Sequence, residues 1–142
     1  MCGEEHGSFK SYMDYKLITS TTSDQYKLIY SDEIVVGDDG LLYSGEYIGV
    51  ALGSRFAGIG SKFIVTLDDG KQVKIIKLDE KSDRHTINKC HHSSDSSVIE
   101  FVVDSEKCKE LYPMAMKMGD FNWIEKFSGK IMKIELVREV GE

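Results

Sequence analysis

Residues 47–104 alternate short apolar runs with loops that are rich in glycine or charge. The first run, Tyr47–Leu52, leads into a loop with glycine at positions 53, 58 and 60. Two later runs carry carboxylates, with Asp79 at the end of one and Glu100 inside the other. Apolar runs of this length, bounded by turn residues, are typical of strands. We therefore expect a β-sheet that presents acids near its strand ends, and we look for function there.

Turn signals lie before and within this stretch, and one helix signal follows it. Gly-Asp-Asp-Gly at 37–40 and Asp-Asp-Gly at 68–70 each separate two apolar runs, which predicts two hairpins. Tyr26–Tyr30 alternates enough to predict another strand. Residues 105–118 predict one short helix, which Pro113 divides. Six or more short strands with few helices predict a mainly β barrel.

Length and composition limit the domain organisation and the partners. A chain of 142 residues fits one domain, and we expect a polar arm over residues 1–24 followed by a single domain over 25–142. The net charge of −6 argues against nucleic acid as a partner, because phosphate binding requires a basic surface. No run approaches the roughly 18 apolar residues of a membrane span, and residues 1–7 lack the pattern of a signal peptide. The pattern does not indicate an oligomeric state.

Three cysteines, at positions 2, 90 and 108, do not form the even set of a secreted disulfide framework. We expect free thiols, with a Cys90–Cys108 bridge as the alternative.

The order of motifs from residue 45 to residue 137 resembles a known family. Val50-Ala-Leu-Gly, then Ile59-Gly-Ser before a strand, then a strand ending at Asp79, and finally Val98-Ile-Glu-Phe follow one another. This series is similar to the three-aspartate (3D) class of double-psi β-barrels, which is found in peptidoglycan-cleaving transglycosylases and in spore or phage cell-wall proteins. Glu80-Lys-Ser stands where that class has glycines, and Glu100 stands where it has its last aspartate.

The resemblance implies a fold and an activity. The fold would be mainly β, a six-stranded double-psi-like β-barrel with an N-terminal hairpin extension and one short helix. The activity would be cleavage of peptidoglycan or another glycan by a carboxylic acid that serves as general acid and base, with no cofactor. The compartment would be the cell wall or the extracellular space. A non-catalytic glycan-binding or structural module of a phage or mobile-element protein is the alternative.

Three acids are the candidate catalytic residues, namely Asp79, Asp83 and Glu100. Protonation of a leaving glycosidic oxygen needs a carboxyl group whose pKa is raised by burial or by a second carboxylate. Glu100 is the strongest candidate, because a carboxylate within an apolar strand needs a reason to be there. Solvated acids at ordinary strand ends are the alternative for Asp79. The candidate substrate-binding residues are His85, Trp123 and Asp104, with Trp123 as a ring on which a sugar could stack.

A polar loop raises a third function, metal binding. It contains His85, Cys90, His91, His92 and Asp95, and imidazole and thiolate are the usual zinc ligands. The spacing fits no established zinc motif, so we predict no metal site and regard a solvated loop rich in histidine as the better interpretation.

Overall fold

The structure is a computed structural model that describes residues 7–138. In this range the chain forms ten strands, three α-helices and four 3₁₀ turns. The strands are β1 (Ser11–Asp14), β2 (Val35–Val36), β3 (Leu42–Ser44), β4 (Tyr47–Leu52), β5 (Lys62–Leu67), β6 (Gln72–Glu80), β7 (Thr86–Ile87), β8 (His91–His92), β9 (Glu100–Val103) and β10 (Ile131–Leu136). The α-helices are α1 (Asp24–Ile29), α2 (Ser105–Leu111) and α3 (Pro113–Met118). Between residues 7 and 138 no helix has the length and apolar character that crossing a bilayer requires.

Eight of the strands form one mixed sheet around β4. The strand order is β1-β9-β4-β6-β5-β10, and β3, with β2 beside it, pairs with the first residues of β4. β4 runs parallel to β6 and antiparallel to β3 and β9, while β1 runs parallel to β9. β7 and β8 form a separate two-stranded hairpin. The sheet therefore collects strands from both ends of the described chain around β4.

The predicted fold, a mainly β, six-stranded double-psi-like barrel, is wrong. The chain is a mixed α/β domain with an open sheet, since β1 and β10 end the strand order and no described strand joins them. Helices pack on both faces of this sheet. A strand that is covered on both faces reads as a continuous apolar run, as β4 and β9 do, and this pattern does not distinguish an open sheet from a closed one.

The sheet has two differently covered faces. The face that we call the α1 face packs against helix α1 and buries Ile29, Ala51, Ile76, Leu78 and Val102, together with further residues. The opposite face, which we call the aromatic face, packs against α2, α3 and the 3₁₀ turns at Phe121–Trp123 and Glu125–Phe127. Its core includes three phenylalanines, Phe101, Phe121 and Phe127, and the Phe101 ring stacks on the Phe121 and Phe127 rings with centroids 5.0 and 4.6 Å away. The two faces give each strand residue one of two distinct environments.

The local predictions have mixed outcomes. Both hairpins are confirmed, as β2 with β3 and β5 with β6, and Pro113 does divide the predicted helix into α2 and α3. The strand predicted at Tyr26–Tyr30 is wrong, because most of it belongs to helix α1. The Ser23 side chain accepts a hydrogen bond from the backbone N–H of Tyr26 and caps that helix. Within the predicted arm, residues 11–14 form β1 and pair with β9.

Candidate functional site

Two of the three predicted catalytic acids lie in one row across the sheet. Asp79 on β6 is paired with Ala51 on β4, Ala51 is paired with Glu100 on β9, and Glu100 is paired with Ser11 on β1. Paired residues on neighbouring strands project from the same face of a sheet. All four side chains therefore lie on the α1 face, and we call them the acid row.

A register shift brings Asp79 to this face. Val50 pairs with Lys77 and Ala51 pairs with Asp79, so Leu78 has no partner of its own on β4. Such an extra residue lets two successive side chains lie on one face. Leu78 is buried in the core under α1, and Asp79 beside it accepts a hydrogen bond from Gln25 Nε2 of α1 at 3.2 Å.

The partial burial of Asp79 changes its acidity. Its side chain is half-buried, and burial raises its pKa above the usual value while the Gln25 hydrogen bond opposes that effect. A carboxyl group with a raised pKa keeps its proton closer to neutral pH. Asp79 can therefore act in proton transfer.

Glu100 has a similar environment, and neighbouring charges also affect its pKa. Burial raises its pKa, the cation of Lys81 opposes this, and the negative charges of Asp79 and Asp95 add to it. Glu100 and Asp79 are thus electrically coupled across β4. Coupled carboxyl groups with raised pKa values are typical of acid–base sites.

A buried lysine stands beside the row. Lys81 is 7% exposed, and its Nζ donates to the backbone oxygen of Ser97 at 2.8 Å and to Ser97 Oγ at 3.3 Å. Ser97 Oγ lies 3.1 Å from Ser11 Oγ, which links this group to the end of the acid row. Burial lowers the pKa of Lys81, whereas Glu100 and Asp95 raise it. Lys81 is therefore a fixed partner that limits the rise in the pKa of Glu100.

The order of the strands sets the spacing of the two acids. β6 and β9 both border β4, so the backbones of Asp79 and Glu100 lie about 10 Å apart, or two strand spacings. The side chain between them is that of Ala51, which ends at Cβ. Pairs of catalytic carboxyl groups in glycosidases stand about 5 to 9.5 Å apart. Ala51, between the two acids, is 1% exposed and packs in the core under α1.

The other predicted site residues lie elsewhere. Asp83 belongs to a 3₁₀ turn after β6, where its carboxylate accepts a hydrogen bond from Ser54. Asp104 caps helix α2 by accepting from the backbone N–H of Lys107. His85 is an exposed residue of the same turn as Asp83. Trp123 is 58% exposed, in a 3₁₀ turn whose Phe121 packs in the core of the aromatic face. None of the four belongs to the acid row.

The histidine loop forms no metal cluster in the part of the chain that the structure describes. His92 Nδ1 is engaged with Ser94 Oγ at 2.8 Å, and His91 is buried. Cys90 takes part in a disulfide bond, whereas Cys108 is a buried free thiol whose pKa burial raises to about 11. The expectation of a free thiol is therefore wrong for Cys90, and the Cys90–Cys108 alternative is wrong as well. Cys2 lies outside the described residues.

Sequence reasoning missed four members of the site, namely Ser11, Gln25, Lys81 and Ser97. Lys81 lies directly after β6, two residues beyond Asp79, and this closeness in sequence to a candidate acid is the signal that could have found it. Ser11 and Gln25 come from distant segments that only the tertiary fold brings to the sheet.

Comparisons of this chain with protein-family models, with curated proteins and with solved structures give no match. A function must therefore be inferred from the geometry and the charges of the acid row.

Proposed function

We propose that the protein cleaves glycosidic bonds, with Glu100 as the general acid and Asp79 as its partner. The observation that carries this proposal is the acid row itself, in which two coupled carboxyl groups with raised pKa values flank the small side chain of Ala51. Most glycosidases use such a pair of carboxyl groups.

The two acids have different partners, and this suggests their roles. Glu100 has a pKa that is raised by burial and by neighbouring negative charge, so it keeps its proton to a higher pH than an ordinary glutamate, as a general acid must. Asp79 accepts a hydrogen bond from Gln25 that favours its ionised form, which suits it to receive a proton from the attacking hydroxyl or water. Lys81 moderates the pKa of Glu100, so that the proton can be released.

The substrate that fits best is peptidoglycan or a related glycan. The chain carries a net charge of −6, which favours neutral or cationic partners over polyanions. The resemblance of the strand and glycine motifs to cell-wall proteins points in the same direction, although the open sheet differs from the barrel of that class.

Isolated peptidoglycan sacculi provide the test. The purified protein should release soluble muropeptides, which mass spectrometry identifies along with their reducing or anhydro ends. Glu100→Gln should reduce the rate about 100-fold or more, the usual contribution of a general acid, and Asp79→Asn should reduce it at least about tenfold.

Glu106→Gln is the matched control, because Glu106 is an exposed acid on α2, and it should keep the full rate. Wild-type protein that releases nothing, or a Glu100→Gln variant that is as active as wild type, would contradict the proposal. Binding to sacculi without any release would instead favour the non-catalytic glycan-binding alternative.

A further inference from the structure

Strand β10 leaves one edge of the main sheet open. It lies at the end of the strand order, and among residues 7–138 its strand partner is β5 alone. The backbone N–H of Val137 donates to the backbone oxygen of Lys62 at 2.8 Å. Along an antiparallel pair, residues that bond to the partner strand alternate with residues that do not. Ile134 and Leu136 therefore turn their backbone N–H and C=O groups away from β5, toward the open edge.

The side chains of β10 carry opposite charges on either side of one apolar residue. Lys133 and Glu135 are exposed, and Lys133 Nζ lies 3.4 Å from Glu135 Oε1. Ile134, between them, packs against the core of the aromatic face. Met132 and Leu136 are 55% and 39% exposed. A lysine in an edge strand discourages pairing with another strand, so a partner strand must supply a carboxylate opposite Lys133.

We propose that two copies of this protein pair through β10, in antiparallel orientation about a two-fold axis at Ile134. In this register Ile134 of one copy lies opposite Ile134 of the other, and their outward N–H and C=O groups form two hydrogen bonds. Lys133 of each copy faces Glu135 of the other, and Met132 of each copy lies beside Leu136 of the other. The eight-stranded sheet then continues across the axis into the second copy.

The charges of β10 select this register over other ways of pairing two copies. Parallel pairing in register places Lys133 beside Lys133. Antiparallel pairing about Lys133 or about Glu135 places like charges opposite each other, which destabilises a strand pair. Pairing about Ile134 joins the outward backbone groups and gives each charge an opposite charge across the axis. The strand is thus complementary to itself, and this is the reason to expect a second copy as its partner.

The oligomeric state of the full chain tests this interface. In sedimentation velocity the wild-type protein should form a dimer whose fraction rises with concentration. A six-residue strand is shorter than the about 20 to 30 residues per side of a standard interface, so we expect a Kd in about the micromolar range. Lys133→Glu and Glu135→Lys each place like charges across the axis, and each should weaken the dimer about tenfold or more.

Restoring the charge order should restore the dimer. The double variant Lys133→Glu/Glu135→Lys again has opposite charges across the axis, so it should dimerise like wild type. An equimolar mixture of the two single variants should form a heterodimer, because one chain then has two carboxylates at this edge and the other has two cations. Since both side chains are exposed, all these variants should keep the wild-type melting temperature.

Lys109→Glu is the matched control. Lys109 is an exposed lysine on α2, so this substitution changes the net charge by the same amount away from β10 and should leave the Kd unchanged. Hydrogen exchange adds a backbone measurement, in which the amide N–H groups of Ile134 and Leu136 should exchange more slowly in the dimer than in Lys133→Glu.

Several results would overturn the proposal. Wild-type protein that stays monomeric up to about 1 mM is one of them, since even a weak interface is populated at that concentration. A dimer that Lys133→Glu leaves intact is another, as is a double variant that dimerises no better than the single variants. Assemblies that grow beyond two copies would also contradict it, because a two-fold interface closes on itself.

Discussion

Lys10 is a buried cation whose titration should be visible in the stability of the protein. The side chain is 2% exposed, and Nζ donates to the backbone oxygens of Ser8 at 2.7 Å and Gly129 at 2.8 Å. Burial lowers its pKa from 10.5 to about 8, although Asp120 acts in the opposite direction.

The free energy of unfolding should therefore rise with pH between about 8 and 10.5. The pKa of Lys10 is lower in the folded chain than in the unfolded chain, so the unfolded chain binds more protons in this window. The full effect of this one group is about 3 kcal/mol. Urea unfolding at several pH values checks it by comparison with Lys10→Met, which should lack this contribution. Equal pH slopes in the two proteins would refute the assignment.

Asp79 predicts a stability effect of the opposite sign. Its pKa is raised in the folded chain, so the folded chain binds more protons and loses stability as the pH rises through that pKa. Asp79→Asn should therefore melt at a higher temperature than wild type at pH 7, and the difference should disappear near pH 3. Thermal unfolding followed by circular dichroism measures both.

Asp69→Asn serves as the reference for that comparison. The Lys71 side chain lowers the pKa of Asp69, so this substitution should not raise the melting temperature at pH 7. A lower melting temperature for Asp79→Asn than for wild type at pH 7 would show that its carboxylate stabilises the fold.

At the level of single residues, the sequence singles out Asp79 and Glu100, and their catalytic role stays a prediction. Glu100 interrupts an apolar run and Asp79 ends one, and a carboxylate within an apolar run needs an explanation from burial or function. The residues around these acids could not be predicted from the sequence, because Gln25 reaches Asp79 only through the packing of α1. Asp83 has the same residue type and lies close in sequence, yet its 3₁₀ turn directs it to Ser54.

At the scale of elements, the loop after β4 depends on one glycine. A Cβ atom on Gly53 would overlap the backbone oxygen of Lys89 and lie 2.9 Å from that of Cys90. The Gly53 carbonyl also accepts a hydrogen bond from Nζ of the buried Lys77 at 3.2 Å. The loop is thus closely packed between β6 and the segment before β8.

Gly53→Ala should destabilise the protein by about 3 kcal/mol or more, since backbone atoms would have to move. Gly58→Ala is the matched substitution in the same loop, and it should change stability by less than about 1 kcal/mol, because nothing lies within 4 Å of a Cβ atom added there. Chemical denaturation of both variants measures the difference. Similar losses in the two would show that the loop as a whole is sensitive, and that the contact at Gly53 is not special.

Elements with a local signal were predicted better than those without one. The turns at 37–40 and 68–70 contain the glycines that such turns need. Pro113 interrupts the helix through its own backbone geometry, so its effect does not depend on tertiary packing. Tyr26–Tyr30 has aromatic and apolar residues that favour a strand, but the Ser23 cap and the packing of Ile29 on the sheet favour a helix. Tertiary packing decides between the two for so short a segment.

At the scale of the whole molecule, the sequence predicts several of the strands but not whether the sheet closes into a barrel. The apolar runs at β4, β6 and β9 are all strands, as expected. A barrel and an open sheet differ in which strands become neighbours at the ends of the strand order, and that depends on residues far apart in the chain. The pairing of β1 with β9 is such a case, since it joins Ser11 to Glu100. The polar composition around β1 gave no sign of it.

The same pairing has a consequence for the synthesis of the chain. The acid row takes residues from β1, β4, β6 and β9. Most of the described sequence lies between its first member, Ser11, and its last member, Glu100. At about 5–20 residues per second, a ribosome needs on the order of ten seconds between these two strands. Until then β1 has no partner and Asp79 has no second acid. A shortened or nascent chain that stops before β9 therefore has no acid row. The proposed activity would be present only in chains that extend past Glu100.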